Sequence, residues 1–307
     1  MKFFSILILL QLSVLKTASA ETTGKQGLGF YSTSNANQTS EASPDTFTQV
    51  TSRWTTDVDE NPWRYGLTWL NYNKEKANNL LSLSLGAELN FDKDSSTKTI
   101  YLPRIVHRNY VLGQAATSDT SFTNTSVGMD VEFSQEKVGR WENTYTLGYE
   151  ARHYPDLKRI DNEAHAIADF QFEVNTRIQL FALTTGGILI SNSSAYSKFF
   201  ADINFGSDIL LSEGWFLNLE ILQSQSIYLS RNISQQTEVT NRRGTVVGYS
   251  TAKELIAVST LKADVRYMVN DIFNLQSGVS ASSQSSNNPL NNYRSAEIFL
   301  SLGLKAP

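Results

Sequence analysis

Cysteine is absent from the 307 residues. That excludes a disulfide framework, a thiolate metal site and a lipid anchor attached through cysteine. Histidine occurs only at His107, His153 and His165, so imidazole chemistry has few places to reside. Neither sign of charge is in large excess: 26 basic against 30 acidic side chains gives a formal net charge of −4. Such a balance offers nucleic acid no electrostatic footing. The GxSxG, HExxH, P-loop and dinucleotide fingerprints are missing from the chain, as is a spaced calcium loop. No catalytic residue, metal ligand or cofactor is therefore nominated, and a non-enzyme is expected. Beyond residue 20 no apolar run approaches the roughly 20 residues that a spanning helix needs.

The first 20 residues have the build of an export signal. Lys2 supplies the positive start, residues 3–15 the apolar core, and Ala18-Ser19-Ala20 a small-x-small cleavage site. The apolar run is too short for an anchor. Cleavage is expected near Ala20, leaving residues 21–307 as one barrel domain.

What fills that domain is alternation. In residues 198–223, Phe199, Ala201, Ile203, Phe205, Ile209 and Leu211 share one parity, and Asp202, Asn204, Gly206 and Asp208 the other. A tight Ser212-Glu213-Gly214 turn follows. Trp215, Leu217, Leu219 and Ile221 then alternate with Asn218 and Glu220. This is a hairpin of two amphipathic strands. The same unit recurs, most cleanly where Leu81, Leu83, Leu85, Ala87, Leu89 and Phe91 alternate with polar residues. The pattern predicts about 14 strands, within a range of 12–16. Residues 98–113 are the least regular, because Pro103, Arg104, His107 and Arg108 interrupt the apolar face. Residues 154–163 read as a charged loop. Residues 232–252 read as the longest loop, with a small hairpin turning at 241–244.

A soluble β-sandwich also alternates. Three features favour a membrane barrel. Charges sit in mid-strand opposite long apolar faces. Those faces mix alanine with leucine and phenylalanine in no packing order, and lipid requires only that they be apolar. Short turns at 59–62, 135–139, 175–176, 212–214 and 269–271 alternate with longer polar connections at 36–45, 154–163, 232–252 and 284–292. Aromatics flank the short turns (Trp54, Trp63, Phe133, Trp141, Phe172, Trp215, Tyr267, Phe273), as an interfacial girdle would.

On these residues the chain resembles the Gram-negative outer-membrane β-barrel class, which includes the porins. The resemblance spans residues 26–306 and is architectural. Members of that class often end on an aromatic residue, whereas this chain ends Lys305-Ala306-Pro307 with Phe299 inside. The expected fold is all-β, a transmembrane antiparallel up-and-down barrel. Both termini and the short turns are expected on the periplasmic side.

The polar parity names the candidate lumen residues. The acidic set is Glu88, Asp130, Glu132, Glu150, Asp169, Glu173, Asp202, Asp208, Glu220 and Asp264; the basic set is Arg64, Arg152, Lys262 and Arg266. An acidic-leaning, water-filled lumen would favour cations. Arg242 and Arg243, at the tip of the longest loop, are candidates for contact with an anionic partner. The leading reading is an outer-membrane channel, porin-like, for passive diffusion of small hydrophilic solutes. A second is a non-conducting scaffold that docks other envelope proteins. A third is an outer-membrane hydrolase using His153 and His165. The partners expected are outer-membrane lipid and a second copy or another envelope protein, with no nucleic acid.

Overall fold

The computed structural model describes residues 22–34, 44–58, 61–74, 78–90, 97–110, 123–241, 244–288 and 291–306. The expected export signal, and Arg242 and Arg243, lie outside the described residues. Among the described residues fifteen strands follow one another: β1 (Thr22–Thr33), β2 (Asp45–Val58), β3 (Asn61–Tyr72), β4 (Leu80–Ala87), β5 (Leu89–Asn90), β6 (Thr97–Tyr110), β7 (Asn124–Val138) and β8 (Trp141–Tyr154) lead, and β9 (Arg159–Asn175), β10 (Ile178–Ser191), β11 (Lys198–Ser212), β12 (Trp215–Asn241), β13 (Gly244–Met268), β14 (Phe273–Ser286) and β15 (Tyr293–Ala306) follow. Strands β4 and β5 both pair with β6. They are two stretches of one stave, interrupted at Glu88, whose N–H donates to the Pro62 carbonyl at 2.8 Å.

Each strand pairs antiparallel with its neighbours in sequence, and β1 pairs with β15 from Gly24↔Ala306 to Thr33↔Glu297. The result is a closed barrel of 14 staves, as the alternation predicted. Closure leaves no edge strand with unpaired backbone groups. At one rim the strands are joined by short turns. Three described turns there have two residues, at 139–140, 176–177 and 213–214, and in two of them Gly139 (φ 66°) and Gly214 (φ 78°) occupy left-handed positions, where a side chain would be strained. Both ends of the described chain lie at this short-turn rim.

Pleating assigns alternate residues to the two faces. The outer face is apolar and uncovered: Phe205 is 59% exposed, Leu147 58% and Ile298 62%. From Trp141 to Ala151 an outward row covers roughly 33 Å of strand, which a tilt near 40° reduces to about 25 Å. That is about the height of a lipid-facing band. Trp63, Phe133, Trp141, Trp215 and Phe273 are outward and exposed beside the short turns. Trp141 packs on Phe172 and Trp215 on Tyr267. The facing is testable. Leu147→Arg is expected to cost about 2–4 kcal/mol of stability in bilayers, whereas Thr146→Arg, one residue away on the inner face, is expected to cost much less. Equilibrium urea unfolding in vesicles reads both; equal costs would contradict the assignment.

The strand expected in residues 98–113, the least regular by sequence, forms over Thr97–Tyr110: β6 pairs with β7 from Thr97↔Gln135 to Arg108↔Asn124. Tyr101, Pro103, Ile105 and His107 share the outer parity, and Arg104 and Arg108 the inner, so the two arginines do not interrupt the outer face. Two sequence expectations are corrected, the loops at 154–163 and 232–252. The charged loop at 154–163 is mostly strand. Only a single 3-10 turn (Pro155–Leu157) and Lys158 separate β8 from β9. The longest loop is mostly sheet as well. β12 and β13 pair from Trp215↔Tyr267 to Asn241↔Gly244, with a register shift between Ile227 and Asn232. Their neighbours reach only Tyr228 and Ile256, so the far part of this hairpin stands beyond the barrel as a two-stranded ribbon.

Candidate functional site: the inner face of the wall

Cross-strand pairing brings the inner residues of β6 to β9 together. Glu150 is opposite Gly128 and Glu163, and Gly148 is opposite Asp130 and His165. Their side chains form a closed ring of three carboxylates, two guanidinium groups and one imidazole. Arg104 contacts Asp130 and donates through Nη2 to Glu150 Oε2 at 3.0 Å. Arg152 donates through Nε to Glu150 and through Nη2 to Glu163 Oε2 at 2.8 Å. His165 completes the ring, with Nδ1 3.4 Å from Glu163 and Nε2 3.4 Å from Asp130. Two glycines make the ring possible. A methyl group on Gly148 would collide with the His165 ring and the Asp130 carboxylate, and one on Gly128 would crowd Glu150. Asp130, Glu150 and Arg152 were candidates from the sequence. Arg104 and Glu163 were not, because their segments read as irregular strand or loop, and His165 was considered only as half of the hydrolase pair and not as a lumen residue.

A second group lies on β11 to β14. Glu220 accepts from Asn204 Nδ2 at 2.7 Å and is 3.4 Å from Lys262 Nζ. Lys262 is also 3.4 Å from Asp264, which accepts from Gln276 Nε2 at 2.7 Å. Asp208 accepts from Asn218 Nδ2 at 3.0 Å. Arg266 lies over the Phe216 ring at 5.0 Å. Asp202 lines a recess of about 260 Å³ together with Arg152 and Lys198. Asp169 accepts from Gln171 at 3.4 Å. Glu132 and Glu173 have the inner parity of β7 and β9, Glu173 at the short-turn rim. The candidate carboxylates are therefore inward but largely engaged by cations or amides.

At the other rim, cations and tyrosines stack in alternation. Arg159 is 2% exposed, with its guanidinium 3.9 Å from the rings of both Tyr154 and Tyr196. Arg231 lies 3.9 Å over Tyr228 and 5.4 Å from Tyr196. Asp161 and Glu254 supply the counter-charges, each at 3.3 Å. The stack joins the β8–β9 connection, the 3-10 turn at Ser194–Tyr196 and the base of the β12–β13 ribbon. On the opposite wall, Tyr72, Phe47, Tyr31 and Phe299 form an inward aromatic ladder across four adjacent staves, with centroid spacings of 4.5, 4.6 and 5.5 Å.

Near the short-turn rim of that wall are Lys25, Arg53, Arg64 and Lys305. Register sets Lys305 opposite Lys25 and Lys25 opposite Arg53. Arg64, a lumen candidate, pairs with Glu88, another.

The histidine pair of the third reading does not form. His153 is outward and exposed on β8, whereas His165 is inward on β9. The tight connection between those strands places the two odd-numbered residues on opposite faces of the wall, so a single substrate group cannot reach both. His107 Nδ1, also outward, is 2.9 Å from Thr125 Oγ1.

The chain matches no protein-family model and no curated protein sequence. Its structure is similar to that of solved outer-membrane proteins. The outer membrane channel DcaP of Acinetobacter baumannii is 10% identical, over 94% of this chain and 97% of that one, with a TM-score of 0.53. A bacterial polysaccharide outer membrane secretin is 9% identical, over 92% and 98%, with a TM-score of 0.51. OmpT, an outer-membrane protein of Vibrio cholerae, is 5% identical over 95% and 99%, with a TM-score of 0.50. Likeness at such identities is likeness of fold. In fold, the chain is a porin-like β-barrel, closed, antiparallel and 14-stranded, similar to the barrels of these bacterial outer-membrane proteins.

Proposed function

We propose that this protein is a passive channel of the bacterial outer membrane that passes small hydrophilic solutes. The observation that carries the reading is the number of staves. A circular ring of 14 strands, spaced about 4.8 Å apart and tilted near 40°, has a backbone radius of roughly 14 Å. The longest side chains reach about 7 Å from such a wall, so wall residues alone leave a central space for water. The described residues lie in the wall or at its rims. A polar inner face behind an apolar outer belt matches that use, and a solved neighbour of the same fold is itself a channel.

In this reading the export signal is removed near Ala20, and the short-turn rim with both chain ends faces the periplasm. The inward candidates line the path: Arg64, Glu88, Asp130, Glu132, Glu150, Arg152, Asp169, Glu173, Asp202, Asp208, Glu220, Lys262, Asp264 and Arg266. The acidic lean expected from their number is reduced where carboxylates are engaged by arginine, lysine or amide groups. The ion-pair ring on β6 to β9 is the observation that favours the scaffold reading, since it fills part of the lumen. Planar-bilayer recording separates the two. The purified barrel is expected to give stable open steps. Current indistinguishable from bare lipid, with folded protein inserted, would leave the scaffold as the function.

A further inference from the structure

The inner charges divide into those with counter-charges and those without. The β6–β9 ring, the rim stack and the Glu220–Lys262–Asp264 group each contain their own partners. The four cations near the short-turn rim do not. Of these, only Arg64 has a carboxylate, Glu88. Lys25, Arg53 and Lys305 are exposed, and among the described residues no carboxylate lies within ion-pair distance of them.

Their placement is unfavourable unless something negative sits among them. Directly opposite residues on antiparallel strands have Cβ atoms about 5 Å apart, and like charges there destabilise the pairing. Lys305↔Lys25↔Arg53 repeats that conflict across three successive strands. Arg64 joins from the next strand, where Gly66 is opposite Arg53. These four, with Thr55 and Gly66, line a recess of about 390 Å³. Gly66 contributes no side chain, so the long arms of its neighbours have room to converge. Two arginines supply forked donors and two lysines supply point charges, a combination suited to an oxyanion with several acceptor atoms.

We propose that Lys25, Arg53, Arg64 and Lys305 form an anion-binding site at the short-turn mouth of the lumen, one that takes a small multivalent oxyanion of the phosphate type. The inward facing directs the site to solutes rather than lipid headgroups. The proposal depends on that facing and not on conduction, so its test reads occupancy instead of current.

Equilibrium dialysis of radiolabelled inorganic phosphate against the full folded chain in micelles, at low salt, is the measurement. Saturable binding near one phosphate per barrel is expected, weakening as chloride is raised. The triple variant Lys25→Gln, Arg53→Gln, Lys305→Gln is expected to lose at least about tenfold in affinity, while Arg266→Gln, an inward arginine on another wall, keeps it. Removing repelling cations relieves strain, so the triple variant should fold; Lys305→Gln alone, at the strand end, provides a milder case with a loss of about threefold. Absence of saturable binding by the native chain would overturn the site. So would equal affinity in native and triple-variant barrels, or an equal loss with Arg266→Gln.

Discussion

Arg152→Ala is expected to destabilise the barrel by about 3–5 kcal/mol, the cost of breaking a buried pair by removing one partner. Arg152 is the one cation that touches both Glu150 and Glu163. Its loss leaves Glu150, which is 5% exposed, with Arg104 alone, and leaves Glu163 facing only His165. The penalty comes from desolvated carboxylates rather than from lost attraction, and that distinction can be measured. Adding Glu163→Ala to Arg152→Ala is expected to recover part of the loss, because the second change removes an uncompensated charge. Urea unfolding of single and double variants in vesicles gives the cycle. A double variant as unstable as the sum of the singles would mean that the ring is six independent contacts.

Arg159→Ala is expected to cost a similar amount, about 3–5 kcal/mol, but to act locally. The guanidinium fills the space between two tyrosine rings and faces the buried Asp161. Its removal forfeits two desolvated cation–π contacts, each about 1–2 kcal/mol, opens a cavity and leaves Asp161 without that partner. Arg159→Lys keeps the charge but not the flat group that both rings clasp, so an intermediate loss is expected. Hydrogen exchange locates the effect. Amides of Ser194–Tyr196 and around Tyr228 should exchange faster, while those beside the short turns at 139–140 and 213–214 stay unchanged. Uniform acceleration would mean that the stack is no separate clasp for the long-connection rim.

The fold was legible because its rule is short. Lipid asks only for apolar residues at every second position. The rows Leu81 to Leu85 and Phe199 to Phe205 state that rule without reference to any neighbour. Where the rule weakened, so did the reading. In β9 the outer row contains Asn162 beside Ile160 and Ala164, and its inner row is dense in charge, so the segment resembled a loop. In β6 the inner row mixes Ile100 and Leu102 with Arg104, and the two parities could not be separated by hydropathy. The ribbon of β12 and β13 extends past the lipid-facing height, where nothing requires alternation to continue.

The site was legible as a list and not as an arrangement. Parity placed Asp130, Glu150, Arg152, Glu220 and Asp264 on one face. It could not tell which of them touch, since that depends on register between strands distant in sequence, and on Gly128 and Gly148 leaving room. Arg104 is 46 residues from its partner Glu150. Lys305 and Lys25 meet only because the last strand closes on the first. Counting inward charges suggested an acidic lumen. The pairing assigns most of those carboxylates to partners and, among the described residues, leaves Lys25, Arg53 and Lys305 without one near the short-turn rim. The sequence by itself determined the strand rhythm, the apolar belt and, where the alternation is clean, the face of a residue, because these follow from a two-residue period within one strand. Only the tertiary structure decided which charges cancel, which glycines make space and which histidines face apart, because each depends on how separate strands slide against one another before the ring closes.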